Sequence, residues 1–169
     1  MSKSLTRQEC ESAIRQFASL INPRFTSGKL LYVGVAGDPP GGEYTPVFDT
    51  LTTTTFDIGE RWKPDILGDI TKTSFDDASW DVIVCVQTIE HISNIWDLPA
   101  ELKRILKPDG YAIIDCPWNY PYHGEPEFGD YWRISKDGMK SLFGRHLKMV
   151  GIYEGDYNTS CLFKNEASS

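Results

Sequence analysis

The run Tyr32-Val33-Gly34-Val35-Ala36-Gly37-Asp38-Pro39-Pro40-Gly41-Gly42 places a glycine-rich turn directly behind the apolar stretch Lys29 to Val35. A residue without a Cβ lets backbone approach a ligand closely, so Gly34 and Gly37 are candidates for cradling one. Their other use is the strand-to-loop turn alone, and both uses stay open. Asp57 closes a second β-branched run 23 residues beyond Gly34, near the offset at which an acid meets ribose hydroxyls. Asp69 follows a third short run, and it either faces the same ligand or caps a turn with Thr71. In VCVQTIEHI, Val86 and Gln87 leave an apolar strand and enter that cleft, while Glu90 and His91 are expected to cap and stabilise the helix that follows. The segment Pro117 to Trp132 carries Trp118, Tyr120, Tyr122, Phe128, Tyr131 and Trp132 in neither helical nor strand period, and His123 stands among them. These aromatics read either as a lid over an acceptor site or as a satellite core under a long loop.

Positioning these groups requires a set of alternating elements. Thr6 and Glu9 form a capping-box pattern ahead of Ile14, Phe17, Ala18 and Ile21 at helical spacing, and Asn22-Pro23 ends that helix. Strands are expected at Lys29–Val35, Leu51–Ile58, Asp65–Asp69, Asp81–Val86 and Tyr111–Cys116. DVIVCV is almost wholly apolar, as a strand buried on both faces of a parallel sheet must be. Ile95, Leu98, Leu102, Ile105 and Leu106 share one helical face between Asn94 and Lys107, with Pro108-Asp109-Gly110 closing the element. Ser135 is placed to cap a short helix through Phe143, and the apolar runs Leu147–Tyr153 and Cys161–Phe163 suit a final hairpin. Strands alternating with helices imply a parallel sheet covered on both faces, with its ligand site at the carboxyl ends of the strands.

Composition narrows the partners. The chain has 169 residues, 19.1 kDa, and 17 Lys+Arg against 24 Asp+Glu, for a net charge of −7. Without a basic run to offset that charge, nucleic acid is a poor substrate. The four cysteines lie far apart with no CxxC pair, which points to a reducing compartment and a cytoplasmic location. No metal site is expected. No apolar stretch reaches the length of a membrane span, and a homodimer stays open.

From Leu30 to about Gly144 the order of signals resembles that of class I S-adenosylmethionine-dependent methyltransferases of the type 11 kind. GDITKTSFDDASWDVIVCVQTIEHI and LPAELKRILKPDGYAIIDCPW carry the resemblance most specifically. It implies one domain over residues 1–169, with an N-terminal helical segment over 1–28 and an aromatic loop over the cleft at 117–132. The implied fold is a three-layer, Rossmann-like α/β fold with a mostly parallel seven-stranded sheet and an antiparallel final strand. With S-adenosylmethionine as cofactor, Asp57 would take the ribose hydroxyls and Asp69 the adenine amino group. Ile70 would line the adenine pocket, and Val86 and Gln87 would flank the methionine part. Trp118, Tyr122, Tyr131 and Trp132 would meet a small-molecule or glycan-type acceptor, with His123 as the base. The family's acid-x-Gly-x-Gly-x-Gly motif is altered here. Only Gly34 is held in place, Ala36 and Asp38 stand at the second and third glycine positions, and Tyr32 replaces the acid, while Gly37 shifts the turn by one residue. A catalytically inactive relative that binds a partner protein is therefore the competing reading, and cofactor affinity separates the two. A nicotinamide-dependent oxidoreductase ranks last, because the Pro-Gly turn does not open a helix.

Overall fold

In the computed structural model, which describes residues 4–35 and 47–167, seven strands form one sheet in the order β3-β2-β1-β4-β5-β7-β6. They are β1 (Gly28–Val33), β2 (Leu51–Asp57), β3 (Ile66–Leu67), β4 (Trp80–Val86), β5 (Leu106–Pro117), β6 (Lys148–Glu154) and β7 (Asn158–Lys164). Neighbours from β3 through β5 pair parallel, and β7 runs antiparallel to both β5 and β6. This is the expected three-layer, Rossmann-like α/β architecture with an antiparallel final strand.

Strand alternation divides the core between the two faces. Leu30, Tyr32, Val82, Val84 and Ile113 pack under Cys10, Ile14, Phe17 and Ile21 of α1 (Leu5–Ile21). On the other face, Leu31, Val33, Ile83, Cys85 and Ile114 meet Leu98, Leu102 and Ile105 of α2 (Leu98–Ile105), with Met139 and Phe143 of α3 (Lys136–Phe143). All four cysteines are buried and free. Among the described residues no helix is long and apolar enough to cross a membrane.

Three local expectations are corrected. Ser4, not Thr6, caps α1 by accepting from the Arg7 N–H at 3.3 Å. Glu9 instead accepts the N–H groups of Asp156, Tyr157 and Asn158 at 2.8, 3.0 and 3.1 Å, clamping the β6–β7 turn. Three charge-assisted bonds to a distant turn outweigh one reciprocal cap. The helix expected from Asn94 starts at Leu98, because Ile95–Asp97 forms a 3-10 turn and Pro99 suits the first helical positions. Lys107 to Gly110 lie inside β5 as a bulge, since Leu106 already pairs with Trp80 before the ladder resumes at Tyr111 and Val82. Ser135 caps α3 as expected, accepting from Gly138 N–H at 3.4 Å.

A buried polar network ties α1 to the carboxyl end of the sheet. Asp115 accepts from Gln87 Nε2 at 2.6 Å, from Cys10 Sγ at 3.1 Å and from the Ser160 hydroxyl. Burial pushes its carboxyl from the ordinary 3.8 up to about 6, against the hydrogen bonds that favour the anion. The folded chain therefore holds a proton between about pH 4 and 6 that the unfolded chain has released. Its stabilising contribution is complete below about pH 4 and is lost as pH rises through about 6. A rise of this size corresponds to about 3 kcal/mol. Asp115→Asn is expected to abolish that slope, so the variant gains on wild type by up to about 3 kcal/mol between pH 4 and 7.5. Denaturant titrations across that range measure it, and parallel profiles would refute it.

Candidate functional site

The carboxyl ends of β1, β2 and β4 open into a cleft with two lobes. The larger cavity is about 370 Å³ and the smaller about 190 Å³. Gly34, Asp57 and Thr88 belong to both, so the lobes meet along the turn after β1. Asp69 and Ile70 line the smaller lobe, whereas Val86, Gln87 and His123 line the larger. The sequence thus brings Gly34, Asp57, Asp69, Ile70, Val86, Gln87 and His123 to one cleft. Ala36, Gly37 and Asp38 lie outside the described residues.

Local geometry explains these placements. Gly34 has φ +81°, and a Cβ there would overlap the Thr88 hydroxyl. Glycine is therefore required by conformation and by space. Asp57 is buried at the end of β2, where Oδ2 accepts from Val35 N–H and Oδ1 from Gly59 N–H, both at 2.7 Å. Its carboxylate braces the turns on either side, and each oxygen keeps a second lone pair. Asp69 Oδ1 accepts from the Thr71 N–H at 2.9 Å and hydroxyl at 2.7 Å, so the turn-capping use is realised at a residue that also faces the smaller lobe. Although burial opposes it, these Thr71 bonds hold the Asp69 carboxyl below its usual range. Gln87 sits at φ +49° and donates its amide to Asp115 and Asn158, which fixes the backbone leaving β4.

The loop after β5 supplies the outer wall through two of its six aromatics, neither of them among the four expected to meet the acceptor. Tyr120 and Phe128 line the larger lobe. Trp118, Tyr122, Tyr131 and Trp132 line neither cavity among those described. The Trp118 indole N–H donates to Gly155 O at 3.1 Å, and that of Trp132 to Ile92 O at 2.8 Å. Trp132 packs against the core of α2 and α3, while Tyr122 and Tyr131 are exposed at 76% and 54%. Two indoles are thus spent on long-range anchoring and two phenols on solvent. Asp130 ties the loop together: it accepts from His123 N–H at 2.7 Å and from Arg133 Nη2 at 2.6 Å. The Arg133 guanidinium holds the Asp130 carboxyl well below the usual carboxylate range.

Glu90 departs most from expectation. It lies in the 3-10 turn Ile89–His91, is fully buried, and caps no helix. Its backbone carbonyl accepts from Tyr131 N–H at 2.8 Å, but neither carboxylate oxygen has a hydrogen-bond partner among the described residues. His91 Nε2 and His123 Nε2 lie 3.8 and 3.7 Å from Glu90 Oε1, and the two rings pack edge to face at 4.9 Å between centroids. The Glu90 carboxylate raises the His123 pKa above the ordinary imidazole value, against burial. Thr88 escaped sequence reasoning, Glu90 was read as a helix cap, and Tyr120 and Phe128 were named only among the loop aromatics and not as contacts of the acceptor. For Glu90 and Thr88 the signal was their position in QTIEHI directly after the buried strand.

A family model described as a methyltransferase domain matches residues 52–114. Over 39 residues the chain is 38% identical to a ubiquinone biosynthesis O-methyltransferase of Rickettsia bellii, a match covering 23% of this chain and only 16% of that relative's length. The fold is similar to that of the PH0226 protein from Pyrococcus horikoshii, with a TM-score of 0.70 at 17% identity over 96% of this chain and 92% of that one. It is also similar to a Burkholderia thailandensis 1,6-didemethyltoxoflavin-N1-methyltransferase solved with bound 1,6-didemethyltoxoflavin and S-adenosylhomocysteine. That likeness has a TM-score of 0.67 at 14% identity, over 93% of this chain and 80% of that one.

Proposed function

We propose that the chain is a class I S-adenosylmethionine-dependent methyltransferase and that it transfers a methyl group from that cofactor to a small-molecule or glycan-type acceptor, a reading supported by the methyltransferase-domain match over residues 52–114. One observation carries the reading: the two lobes join at Gly34 and Asp57, where the carboxyl ends of β1 and β2 meet. The adenine end of the cofactor fits the lobe of Asp69 and Ile70, the ribose meets Asp57, and the methionine end lies beside Val86 and Gln87. The acceptor then enters from the side of Tyr120, His123 and Phe128, whose aromatic faces suit a flat or apolar molecule.

A sulfonium is already an activated leaving group, so the protein's task is to hold the acceptor's lone pair in line with the methyl carbon. The acceptor also loses a proton, and His123 is the residue we assign to that part of the chemistry. The buried free cysteines support work in a reducing compartment.

Calorimetric titration with S-adenosylmethionine and S-adenosylhomocysteine tests the first half of the proposal. Absence of binding at millimolar concentration would leave a methyltransferase-like module that binds a partner protein. For the second half, acceptors are screened, and His123→Ala is expected to lower turnover by roughly a hundredfold while cofactor affinity changes less than about twofold. Unchanged turnover would remove His123 from the reaction.

A further inference from the structure

We propose that Glu90, His91 and His123 bind a divalent transition-metal ion, zinc in the first instance, at the acceptor end of the cleft. The inference rests on the methyl-transfer reading only for the use of the ion, not for its binding.

The observation that points to an ion is Glu90. It is fully buried, and among the described residues neither carboxylate oxygen has a hydrogen-bond partner. A buried anion in that state is costly and calls for a compensating cation. Two imidazole nitrogens, Nε2 of His91 and of His123, stand 3.8 and 3.7 Å from Oε1. That is too long for hydrogen bonds. It is close to the separation of two ligands on one ion, about 3.4 Å for a tetrahedral zinc site with bonds of about 2.1 Å. One ligand atom from each residue fits within a 4.8 Å group.

The opposite edge of each ring supports the same reading. His91 Nδ1 lies 2.6 Å from the Gly129 carbonyl oxygen. His123 Nδ1 lies 3.2 Å from the Pro121 carbonyl and 3.2 Å from Asp130 Oδ2, with Arg133 Nη2 farther off at 3.4 Å. Carbonyl and carboxylate acceptors at Nδ1 keep the proton there and leave the Nε2 lone pair for a metal. The Asp130–His123 pair is the outer support that metal-bound imidazoles commonly have, and Arg133 fixes Asp130 in turn. Two imidazoles and one carboxylate suit zinc or iron better than magnesium, which takes oxygen ligands.

His91 and His123 both line the larger lobe, so the remaining coordination position faces the acceptor. With the ion bound, His123 acts on the acceptor's proton as a metal ligand and no longer as a free base: a hydroxyl bound there loses its proton to solvent near neutrality. Its oxygen lone pair then forms the O–CH₃ bond as the C–S bond breaks, and the C–S bonding pair stays on sulfur, which leaves as the thioether. The acceptor class this implies is an alcohol or phenol rather than an apolar carbon.

The test is a titration of the tag-free, chelator-treated chain with Zn²⁺ alone. One equivalent is expected to bind with micromolar or tighter affinity and to raise the Tm. Glu90→Gln and His123→Ala are each expected to weaken binding at least a hundredfold. Glu90→Gln also removes the uncompensated charge, so its metal-free form should melt no lower than metal-free wild type, which separates lost ligation from lost folding. Co²⁺ substitution should give visible bands without a thiolate charge-transfer absorption, since the ligands are nitrogen and oxygen. No stoichiometric binding, a thiolate band, or affinity indifferent to both substitutions would overturn the site. Titrating the cofactor into metal-free protein keeps the two readings apart. Cofactor binding without zinc binding removes only the metal, and zinc binding without cofactor binding removes only the methyl transfer.

Discussion

Replacing Gly34 with alanine should cost the domain about 3–5 kcal/mol and lower cofactor affinity at least a hundredfold, one of the two largest effects expected in this protein. Two causes add. At φ +81° an L side chain sits in the left-handed region, worth about 1–2 kcal/mol. The new methyl would also overlap the Thr88 hydroxyl, with Thr88 Cβ at 2.9 Å. That hydroxyl faces the carbonyl oxygens of Val86 at 2.9 Å and Val33 at 3.2 Å, so moving it breaks the link between the ends of β1 and β4. Loss of that link is worth about 1–2 kcal/mol more, with strain in the displaced turn beyond it. Thr88→Ala removes the overlapping oxygen, so the double variant should recover about 1–2 kcal/mol relative to the sum of the single changes. Denaturant unfolding of the four proteins gives that coupling directly. Strict additivity would show that Gly34 matters only for its backbone angle.

The same turn illustrates what the sequence could and could not reveal. β1, β2 and β4 were legible because β-branched and apolar runs have one good fate, a strand of the sheet whose carboxyl-terminal half is buried, and the polar turns that follow fix where the carboxyl ends lie. Gly34 and Asp57 were legible for the same reason, since both stand at the ends of those runs. The aromatic loop was not. Trp118 and Trp132 anchor to Gly155 and Ile92, 37 and 40 residues away, and no local pattern encodes which indole will find a distant carbonyl. Tyr120 and Phe128 face the cavity because those anchors, with Asp130 and Arg133, set the loop's course. Glu90 was misread for a related reason. An acid after a strand normally caps a helix in water, and only the return of the 117–135 segment over it excludes solvent. The Thr6–Glu9 pattern failed similarly, as a turn 147 residues away competes for the Glu9 carboxylate.

Asp57→Ala is expected to lower stability by about 2–3 kcal/mol and to weaken S-adenosylmethionine and S-adenosylhomocysteine by about 1.5–3 kcal/mol each. The stability loss follows from the two amides that its carboxylate serves. Val35 N–H and Gly59 N–H each donate at 2.7 Å to a charged acceptor, and alanine leaves both without it. Val35 is buried, so water restores little on that side, whereas Gly59 is more accessible. The affinity loss follows from the lone pairs those amides leave unused, which face the junction of the two lobes and can accept from a pair of vicinal hydroxyls. Asp57→Asn separates the two contributions. It keeps one carbonyl oxygen for one amide but must turn an NH₂ toward the other, so it should fall between wild type and alanine in both measurements. Adenosine alone, lacking the charged methionine end, should lose affinity by the same factor as the full cofactor, because the change is confined to the ribose. Calorimetry with the three ligands, alongside urea unfolding without them, checks each part. If stability falls while all three affinities stay within about twofold, Asp57 is only a brace between Val35 and Gly59, and the ribose must be held by another group.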